Sequence, residues 1–132
     1  MASNVISPDL LPIVGHHISE SIPKLGKALV AHLAYTRQGN FPAADGGFAA
    51  GVNFMDSPAT VSTASLTINP SYAIMRVKPA NALALDGPVA VAATGEAIPA
   101  TGTNYVFGRV VDGISDGTGT TEKPHYVLIK LV

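Results

Sequence analysis

The sequence contains no cysteine and no tryptophan, and only 13% of its 132 residues are charged. Without cysteine, disulfide bonds and thiolate metal sites are excluded. The charged share is about half of the quarter that is usual for globular domains. Because surface dominates a small domain, this shortage of charge predicts that weakly polar surface is covered by neighbouring molecules.

An excess of charge of one sign is also missing, since the formal net charge is −1. The basic residues are scattered and form no stripe interleaved with aromatic residues, so we expect no nucleic-acid partner. No stretch is long enough to span a bilayer, so we expect no membrane partner. Asp9 and Pro12 interrupt the first apolar run and no basic region precedes it, so no secretory signal is predicted. We therefore expect a protein that is synthesised in a cytoplasm.

Reactive groups that could converge on a substrate or a metal are not apparent. His16 and His17 are adjacent, and neighbouring side chains of an extended segment point in opposite directions, which is poor geometry for one metal ion. The stretch "DGISDG" lacks the alternating oxygen ligands and the terminal glutamate of a calcium loop. Most of the nine carboxylates, these two aspartates included, lie beside or near glycine in turn sequences, as at Asp45, Asp86, Asp112 and Asp116. The sequence predicts no catalytic residue, no cofactor and no metal, and hence no enzyme.

What the sequence does contain is alanine, valine, 13 glycines and 10 prolines in short apolar runs. "ATVSTASLTIN" (59–69) alternates, and a turn at Asn69–Ser71 leads into "YAIMRVKP" (72–79). The two faces of the first run are Val61, Thr63, Ser65 and Thr67 against Ser62, Ala64, Leu66 and Ile68. "HYVLIKLV" (125–132) is strongly β-forming. We predict an all-β fold of about eight short strands, arranged as a small β-barrel or β-sandwich (β-tulip-like).

Two segments are harder to assign. "KALVAHLAYTR" (27–37) is interpreted as a strand, and the competing interpretation is a short helix that begins at Pro23. The strand would place four residues on one face: Leu29, Ala31, Leu33 and Tyr35. "DGISDGTGTTEKP" (112–124) is predicted to be a mobile loop that is too polar to pack, with His125 at its solvated end.

The sequence also contains an internal echo. "FPAADGGFAAG" (41–51) and "IPATGTNYVFG" (98–108) align at a constant offset of 57 residues (98 − 41 and 108 − 51). The alignment pairs Pro42 with Pro99, Phe48 with Tyr105, and Gly51 with Gly108. It predicts two related hairpin units, at about residues 29–56 and 86–113.

Four residues of these units are predicted to be structural turn positions. Pro42 and Pro99 would mark strand edges, because proline cannot donate a ladder hydrogen bond. Gly51 and Gly108 would mark a bend, a bulge or a close backbone approach.

The N-terminal residues 1–24 are predicted to be an extended arm in front of a single β domain at 25–132. Prolines at positions 8, 12 and 23 oppose a continuous helix or central strand. We expect the arm to contact a partner through Leu10, Leu11, Ile13, Val14 and Ile18. The alternative is a tail that packs locally on its own domain.

The stretches "G-x-x-I-P-A…Y-V-F-G-R-V-V-D-G" and "G-N-F-P-A…F-A-A-G-V" resemble the hairpin units of tailed-phage head decoration proteins, also called capsid cement proteins. The resemblance covers roughly residues 28–114. It implies a structural virion protein that binds the outside of the capsid as a homotrimer and stabilises it by bridging neighbouring major capsid subunits. The implied partners are the major capsid protein and other copies of the chain. No functional residues carry over, because such proteins act through surfaces.

Two other functions remain open at this point. A β-sandwich adhesion module for a sugar or a host surface would use exposed aromatic residues, of which this chain has few. A tail-tube or baseplate component would differ from the capsid protein mainly in its symmetry. Under the capsid interpretation, the arm would add a strand to an exposed sheet edge on the shell.

Overall fold

The computed structural model describes residues 18–24 and 26–132, which form eleven strands and no helix. The predicted contact residues Leu10, Leu11, Ile13 and Val14 lie outside the described residues. The strands are β1 (Ser19–Pro23), β2 (Ala34–Tyr35), β3 (Gly51–Asn53), β4 (Thr63–Thr67), β5 (Tyr72–Arg76), β6 (Ala82–Leu83), β7 (Pro88–Val91), β8 (Ala97–Pro99), β9 (Gly108–Asp112), β10 (Ser115–Asp116) and β11 (Tyr126–Leu131).

The strands pair into three antiparallel sheets. A four-stranded sheet has the order β1-β4-β3-β2, a five-stranded sheet has the order β5-β11-β9-β7-β8, and β10 pairs with β6. The all-β prediction is confirmed. The sheets stay open, so the sandwich-like alternative describes the architecture and the closed barrel does not.

The main core lies where the four-stranded and five-stranded sheets meet. Ala34 and Val52 from the first sheet belong to the same buried cluster as Met75, Val110 and Ile129 from the second. Residues of β5 follow the period of two that a strand imposes, since Ala73 and Met75 join this cluster while Ile74 joins another with Leu128. The five-stranded sheet is therefore buried on both faces along much of its length.

The predicted alternation in residues 59–69 is confirmed for the first four residues of β4, where Ala64 and Leu66 are buried while Thr63 and Ser65 are exposed. It fails at Thr67, which is buried as well because β4 pairs there with both β1 and β3. The predicted turn that follows β4 is also present, and the Ser71 N–H donates to the Ile68 carbonyl at 2.9 Å.

Residues 27–37 form neither the predicted continuous strand nor the competing helix. Leu29 makes an isolated bridge to Ser57, and β2 contains only two residues. The reason is His32, whose φ of 68° lies in the left-handed region and cannot continue a strand. Ala31 is only partly buried, whereas the other three residues of the predicted face are buried together: Leu29, Leu33 and Tyr35.

The prediction that residues 112–124 are too polar to pack is wrong for their first part. Ser115 is buried in β10, and its hydroxyl donates to the Asn81 carbonyl at 3.1 Å. The same hydroxyl lies 2.9 Å from Nδ1 of His125. Hydrogen bonds thus satisfy a buried polar side chain, and His125 is half-buried rather than a solvated loop end.

The two predicted hairpin units contain the same two turns, although their strand registers differ. In the strand pairs, Gly51 lies opposite Tyr35 but Gly108 lies opposite Val89. A common origin of the units therefore stays a prediction. In the first turn, the Gly39 N–H donates to the Thr36 carbonyl at 3.0 Å in the first unit, and the Gly95 N–H donates to the Ala92 carbonyl at 2.9 Å in the second unit. In the second turn, the bonds are Gly47 N–H to the Ala44 carbonyl at 3.1 Å and Asn104 N–H to the Thr101 carbonyl at 3.0 Å.

Gly51 and Gly108 begin β3 and β9, so they are strand residues and not turn residues. A Cβ at Gly51 would lie 2.4 Å from the Thr67 carbonyl oxygen, and one at Gly108 would lie 2.6 Å from the Lys130 carbonyl oxygen. A side chain at either position therefore requires the backbone to move. Both glycines lie where a neighbouring strand approaches closely, which is one of the three possibilities predicted for them from the sequence.

Pro99 ends β8, which is the edge strand of the five-stranded sheet. The prediction that Pro42 marks a strand edge is wrong, because Pro42 is buried and lies outside any strand. Residues 19–23 of the predicted arm form β1, which pairs with β4 within the domain. Ile18 stands just before this strand and is 37% exposed.

Candidate interaction surface

The second turns of the two hairpin units pack against each other. The Tyr105 N–H donates to the Gly46 carbonyl at 2.9 Å, and the Gly46 N–H donates to the Val91 carbonyl at 2.8 Å. Gly46 has a φ of 83°, and a Cβ there would lie 2.1 Å from Nδ2 of Asn104. Glycine is therefore required both for the backbone conformation and for the contact between the turns.

Phe48 and Tyr105 follow these two turns and face each other. Their ring centroids are 5.1 Å apart with an interplanar angle of 79°, which is a favourable edge-to-face arrangement. Phe48 is 46% exposed and Tyr105 is 43% exposed. The equivalent residues of the two units thus form one partly exposed aromatic pair.

A groove of about 270 Å³ lies beside the aromatic pair, and we call it the aromatic groove. This volume is below the roughly 300–1,000 Å³ that is typical of small-molecule sites. Val132 is 51% exposed at the groove, while Ala49, Phe107 and Leu131 are buried. The groove is lined by Arg37, Phe48, Ala49, Ala50, Ile68, Asn69, Tyr105, Phe107, Leu131 and Val132.

Arg37 is the charged residue among the groove residues, and an ion pair holds it. Its Nε lies 2.7 Å from Oε2 of Glu20 on β1. Because the pair is exposed, it contributes little stability, but it brings a carboxylate to the guanidinium. The groove therefore presents a paired guanidinium and other polar atoms beside its two exposed aromatic rings.

A second apolar depression of about 510 Å³ includes Met55 and Val61, and both side chains are exposed. Lys24 is buried near the same loop, and its Nζ donates to Ser57 Oγ at 2.7 Å and to the Pro58 carbonyl. These bonds attach the loop after β3 to the end of β1. The lysine therefore has a structural role.

Titratable groups near the turns are also engaged in structural contacts. Asp45 Oδ1 accepts a 2.8 Å hydrogen bond from the Ala93 N–H, and Lys78 Nζ lies 3.6 Å from Oδ2. The backbone hydrogen bond is the main cause that lowers the pKa of Asp45, and Lys78 lowers it further. Burial raises the pKa of Tyr35, whose hydroxyl accepts from the Val30 N–H.

A further ion pair lies at the first turn of the second unit. Arg76 Nε is 3.1 Å from Oε2 of Glu96, and the Thr94 hydroxyl donates to Oε1 at 2.9 Å. Glu96 is buried, so these partners compensate for the loss of its hydration. The arrangement fixes the turn to β5.

The Ser115–His125 pair is the nearest approach to a catalytic arrangement in the described part of the chain. Ser115 is 5% exposed and its hydroxyl donates to the Asn81 carbonyl, so the contact joins β10 to the residues before β6 and β11. Residues 18–24 and 26–132 contain no group of three or more His, Asp or Glu side chains placed to hold a metal ion. Within the same residues, no helix is long and apolar enough to cross a membrane.

The exposed aromatic pair was not singled out as a contact site from the sequence. The alignment of Phe48 with Tyr105 was the available signal, because it placed two aromatic residues at equivalent positions. Of the five predicted contact residues, Ile18 alone is described, and it lies at the start of β1 close to the groove residue Ile68.

Comparison with known proteins gives a match of structure but not of sequence. No protein-family model matches the chain. A search of curated proteins also gives no match.

Among solved structures, the chain is similar to the N base of the head fiber protein gp8.5 in bacteriophage phi29. The two share 16% sequence identity and superpose with a TM-score of 0.57. The match covers 89% of this chain and 95% of the other. At this level of identity, the likeness shows a shared all-β fold over nearly the full length of both chains.

Proposed function

We propose that the chain is a structural protein of a phage virion that binds the outside of the capsid and stabilises it by bridging neighbouring major capsid subunits. The observation that carries the proposal is the fold, which is shared with the base of a phage head fiber over 89% of the chain. A fold alone does not define a function, so the proposal also depends on the side chains that the molecule exposes.

The surface supports an activity based on contact. Large apolar side chains are partly exposed around the molecule although charge is scarce, and patches of this kind are typical of interaction sites. This proposal assigns no catalytic step to the chain. The exposed residues are Ile18, Val30, Phe41, Phe48, Met55, Val61, Leu85, Tyr105, Val106 and Val132.

In the proposed mechanism, a homotrimer sits where capsid subunits meet. Packaged DNA pushes the shell outward, and a clip that holds two subunits raises the free energy needed to separate them. Each contact can be weak, because contacts repeated by symmetry act together through their effective concentration. The partners would be the major capsid protein and two further copies of the chain.

Binding to shells tests the proposal directly. Expanded shells that lack the protein are mixed with the purified full chain and separated on a density gradient. We expect saturable co-sedimentation with a fixed number of chains per shell, and a higher temperature of shell disruption. Shells that already carry the protein are the matched control and should bind no more of it.

The oligomeric mass in solution separates this function from the other two. Native mass spectrometry should give a trimer for the capsid protein. A hexamer would instead favour a tail-tube component. A monomer that binds a sugar and remains at the top of the gradient would favour the adhesion module, and the proposal would then be rejected.

A further inference from the structure

Four aspartates of the chain are followed directly by glycine, and they are Asp45, Asp86, Asp112 and Asp116. In such a pair, the main-chain nitrogen of the glycine can attack the side-chain carboxyl of the aspartate, because glycine has no Cβ to hinder the approach and restricts backbone rotation least. The four pairs share this local chemistry. Their surroundings in the folded chain therefore decide which of them reacts.

The reaction needs no other molecule than water. A bond forms between the glycine nitrogen and Cγ of the protonated carboxyl, the bond from Cγ to its hydroxyl oxygen breaks, and the hydroxyl leaves with the N–H proton as water. Water then opens the resulting succinimide ring at one of its two carbonyl groups. Opening at the original main-chain carbonyl leaves the chain connected through Cγ, and this product is isoaspartate.

At Asp112, the nitrogen faces the carboxyl group that it would attack. The Gly113 N–H donates to Oδ1 of Asp112 at 2.8 Å. With a C–O bond of about 1.2 Å, Cγ lies at most about 4 Å from the nitrogen, close to the roughly 3–3.5 Å of a reactive conformer. Asp112 is exposed, so water can reach its carboxyl.

The sheet is irregular at the same position. Asp112 is the last residue of β9 and lies opposite Leu128, while the next pair is Val110 with Ile129. Val111 is therefore an extra residue on β9 and forms a β-bulge, in which the ladder of hydrogen bonds is interrupted. Fewer bonds thus resist the backbone rotation that ring closure requires.

The glycine nitrogen is engaged elsewhere in two of the other pairs. The Gly46 N–H donates to the Val91 carbonyl at 2.8 Å, and the Gly87 N–H donates to the Ala84 carbonyl at 3.0 Å. Attack by either nitrogen would first break a main-chain hydrogen bond and leave its carbonyl acceptor without that partner. These contacts disfavour the reaction at Asp45 and Asp86.

The carboxyl group is engaged elsewhere at Asp45 and Asp116. Asp45 Oδ1 accepts from the Ala93 N–H at 2.8 Å, and Asp116 Oδ1 accepts from the Thr118 hydroxyl at 2.6 Å and from the Thr118 N–H at 3.1 Å. These hydrogen bonds lower the pKa of both carboxyl groups. They therefore favour the ionised form, which does not react because it has no hydroxyl that can leave as water.

We propose that Asp112 is a site of spontaneous modification, at which the folded chain forms a succinimide with the Gly113 nitrogen and then isoaspartate. Isoaspartate lengthens the main chain by one carbon between β9 and β10. The inference does not depend on capsid binding, since it concerns the isolated chain.

Comparison of the four sites in one sample tests the proposal. The full chain is incubated at neutral pH, in buffer and in concentrated urea, and then digested with trypsin. Electron-transfer dissociation locates isoaspartate by cleavage of its additional main-chain bond, and the peptide 110–130 contains both Asp112 and Asp116. In buffer, we expect at least about fivefold more isoaspartate at Asp112 than at any of the other three sites. In urea, the four sites should react alike, because the folded surroundings are lost. Equal amounts at the four sites in buffer, or the same excess at Asp112 in urea, would overturn the proposal.

Two asparagine variants repeat the comparison in the intact protein. Asp112→Asn keeps the shape of the side chain and replaces water by ammonia as the leaving group, so the reaction is followed by the mass of the whole chain. Asp116→Asn is the matched control, because its side-chain oxygen can still accept from Thr118. In the folded chain, we expect the first variant to lose ammonia at least about tenfold faster than the second. Equal or faster loss from Asp116→Asn would contradict the proposal.

Discussion

The two hairpin units place the same turns in different surroundings. In the first turn of the first unit, Asn40 is exposed and its side chain contacts Lys27 Nζ. In the second unit, the residue that follows the turn glycine Gly95, as Asn40 follows Gly39, is Glu96, which is buried and ion-paired with Arg76. The hydrogen bonds within the two turns are equivalent. The first turn of the second unit, however, is also attached to the five-stranded sheet by the ion pair with Arg76.

The two units show that short sequences determine the geometry of the turns, whereas packing determines the register of the strands. Turn geometry recurs because glycine and small polar residues stand at corresponding places in both units. Strand register does not recur, since Gly51 lies opposite Tyr35 and Gly108 opposite Val89, and the strands outside each unit that pair with it also differ. We expect the second unit, in the more deeply buried sheet, to contribute more to stability than the first.

The largest effect is expected for Gly108→Ala. The new Cβ would lie 2.6 Å from the Lys130 carbonyl oxygen, and β9 is held between β11 and β7. We expect a loss of about 3 kcal/mol in the free energy of unfolding, measured by urea denaturation.

Gly51→Ala is the matched variant in the first unit. Its clash with the Thr67 carbonyl oxygen is closer, at 2.4 Å, but β3 has only three residues and pairs with a two-residue β2, so fewer ladder hydrogen bonds oppose a shift of the strand. We expect a smaller loss of about 2 kcal/mol. A larger loss at Gly51 than at Gly108 would show that the first unit is the more rigid one.

Removal of the buried carboxylate should have the next largest effect. Glu96→Ala leaves the guanidinium of Arg76 without its partner and removes the hydrogen bond from Thr94. We expect a loss of about 2 kcal/mol in thermal or urea unfolding. Asn40→Ala at the corresponding position should change stability by no more than about 0.5 kcal/mol, and similar losses in both variants would refute the contrast between the turns.

The contact between the second turns should contribute less. Gly46→Ala places a Cβ against the Asn104 side chain and strains a residue with a φ of 83°. We expect a loss of about 1–2 kcal/mol. In a double-mutant cycle with Asn104→Ala, part of the loss should be recovered, because the clash disappears and the strain remains. Strict additivity of the two losses would argue against direct contact.

The smallest effect is a dependence on pH through Asp45. Its pKa is lowered in the folded state, mainly by the hydrogen bond from the Ala93 N–H, so its stabilising contribution is complete above the ordinary value of 3.8. The contribution is lost as the pH falls through the lowered pKa. Asp45→Asn should therefore flatten the decline in stability below about pH 4, measured as urea midpoints, and an unchanged acid limb would contradict this assignment.

Much of the fold could be predicted from the sequence. Alternation identified β4, a β-forming run identified β11, and glycine spacing placed the two repeated turns. These features depend on neighbours along the chain, and for that reason a single sequence reveals them.

The features that were missed depend on residues distant in sequence. The left-handed backbone at His32 interrupts residues 27–37, and Ser115 is buried because Asn81 and His125 supply hydrogen-bond partners. The exposed Phe48–Tyr105 pair required two turns to meet in space. The alternation and composition of a sequence do not reveal such contacts between distant residues.

In the function that we propose, the chain attaches its surface to the outside of a phage head. Cryo-electron microscopy of purified particles, with and without the protein, tests this claim most directly. The proposal predicts ordered density for the chain at symmetry-related positions that bridge neighbouring major capsid subunits, and no such density in particles that lack it. Identical heads in the two samples, or density for the chain confined to the tail, would contradict it.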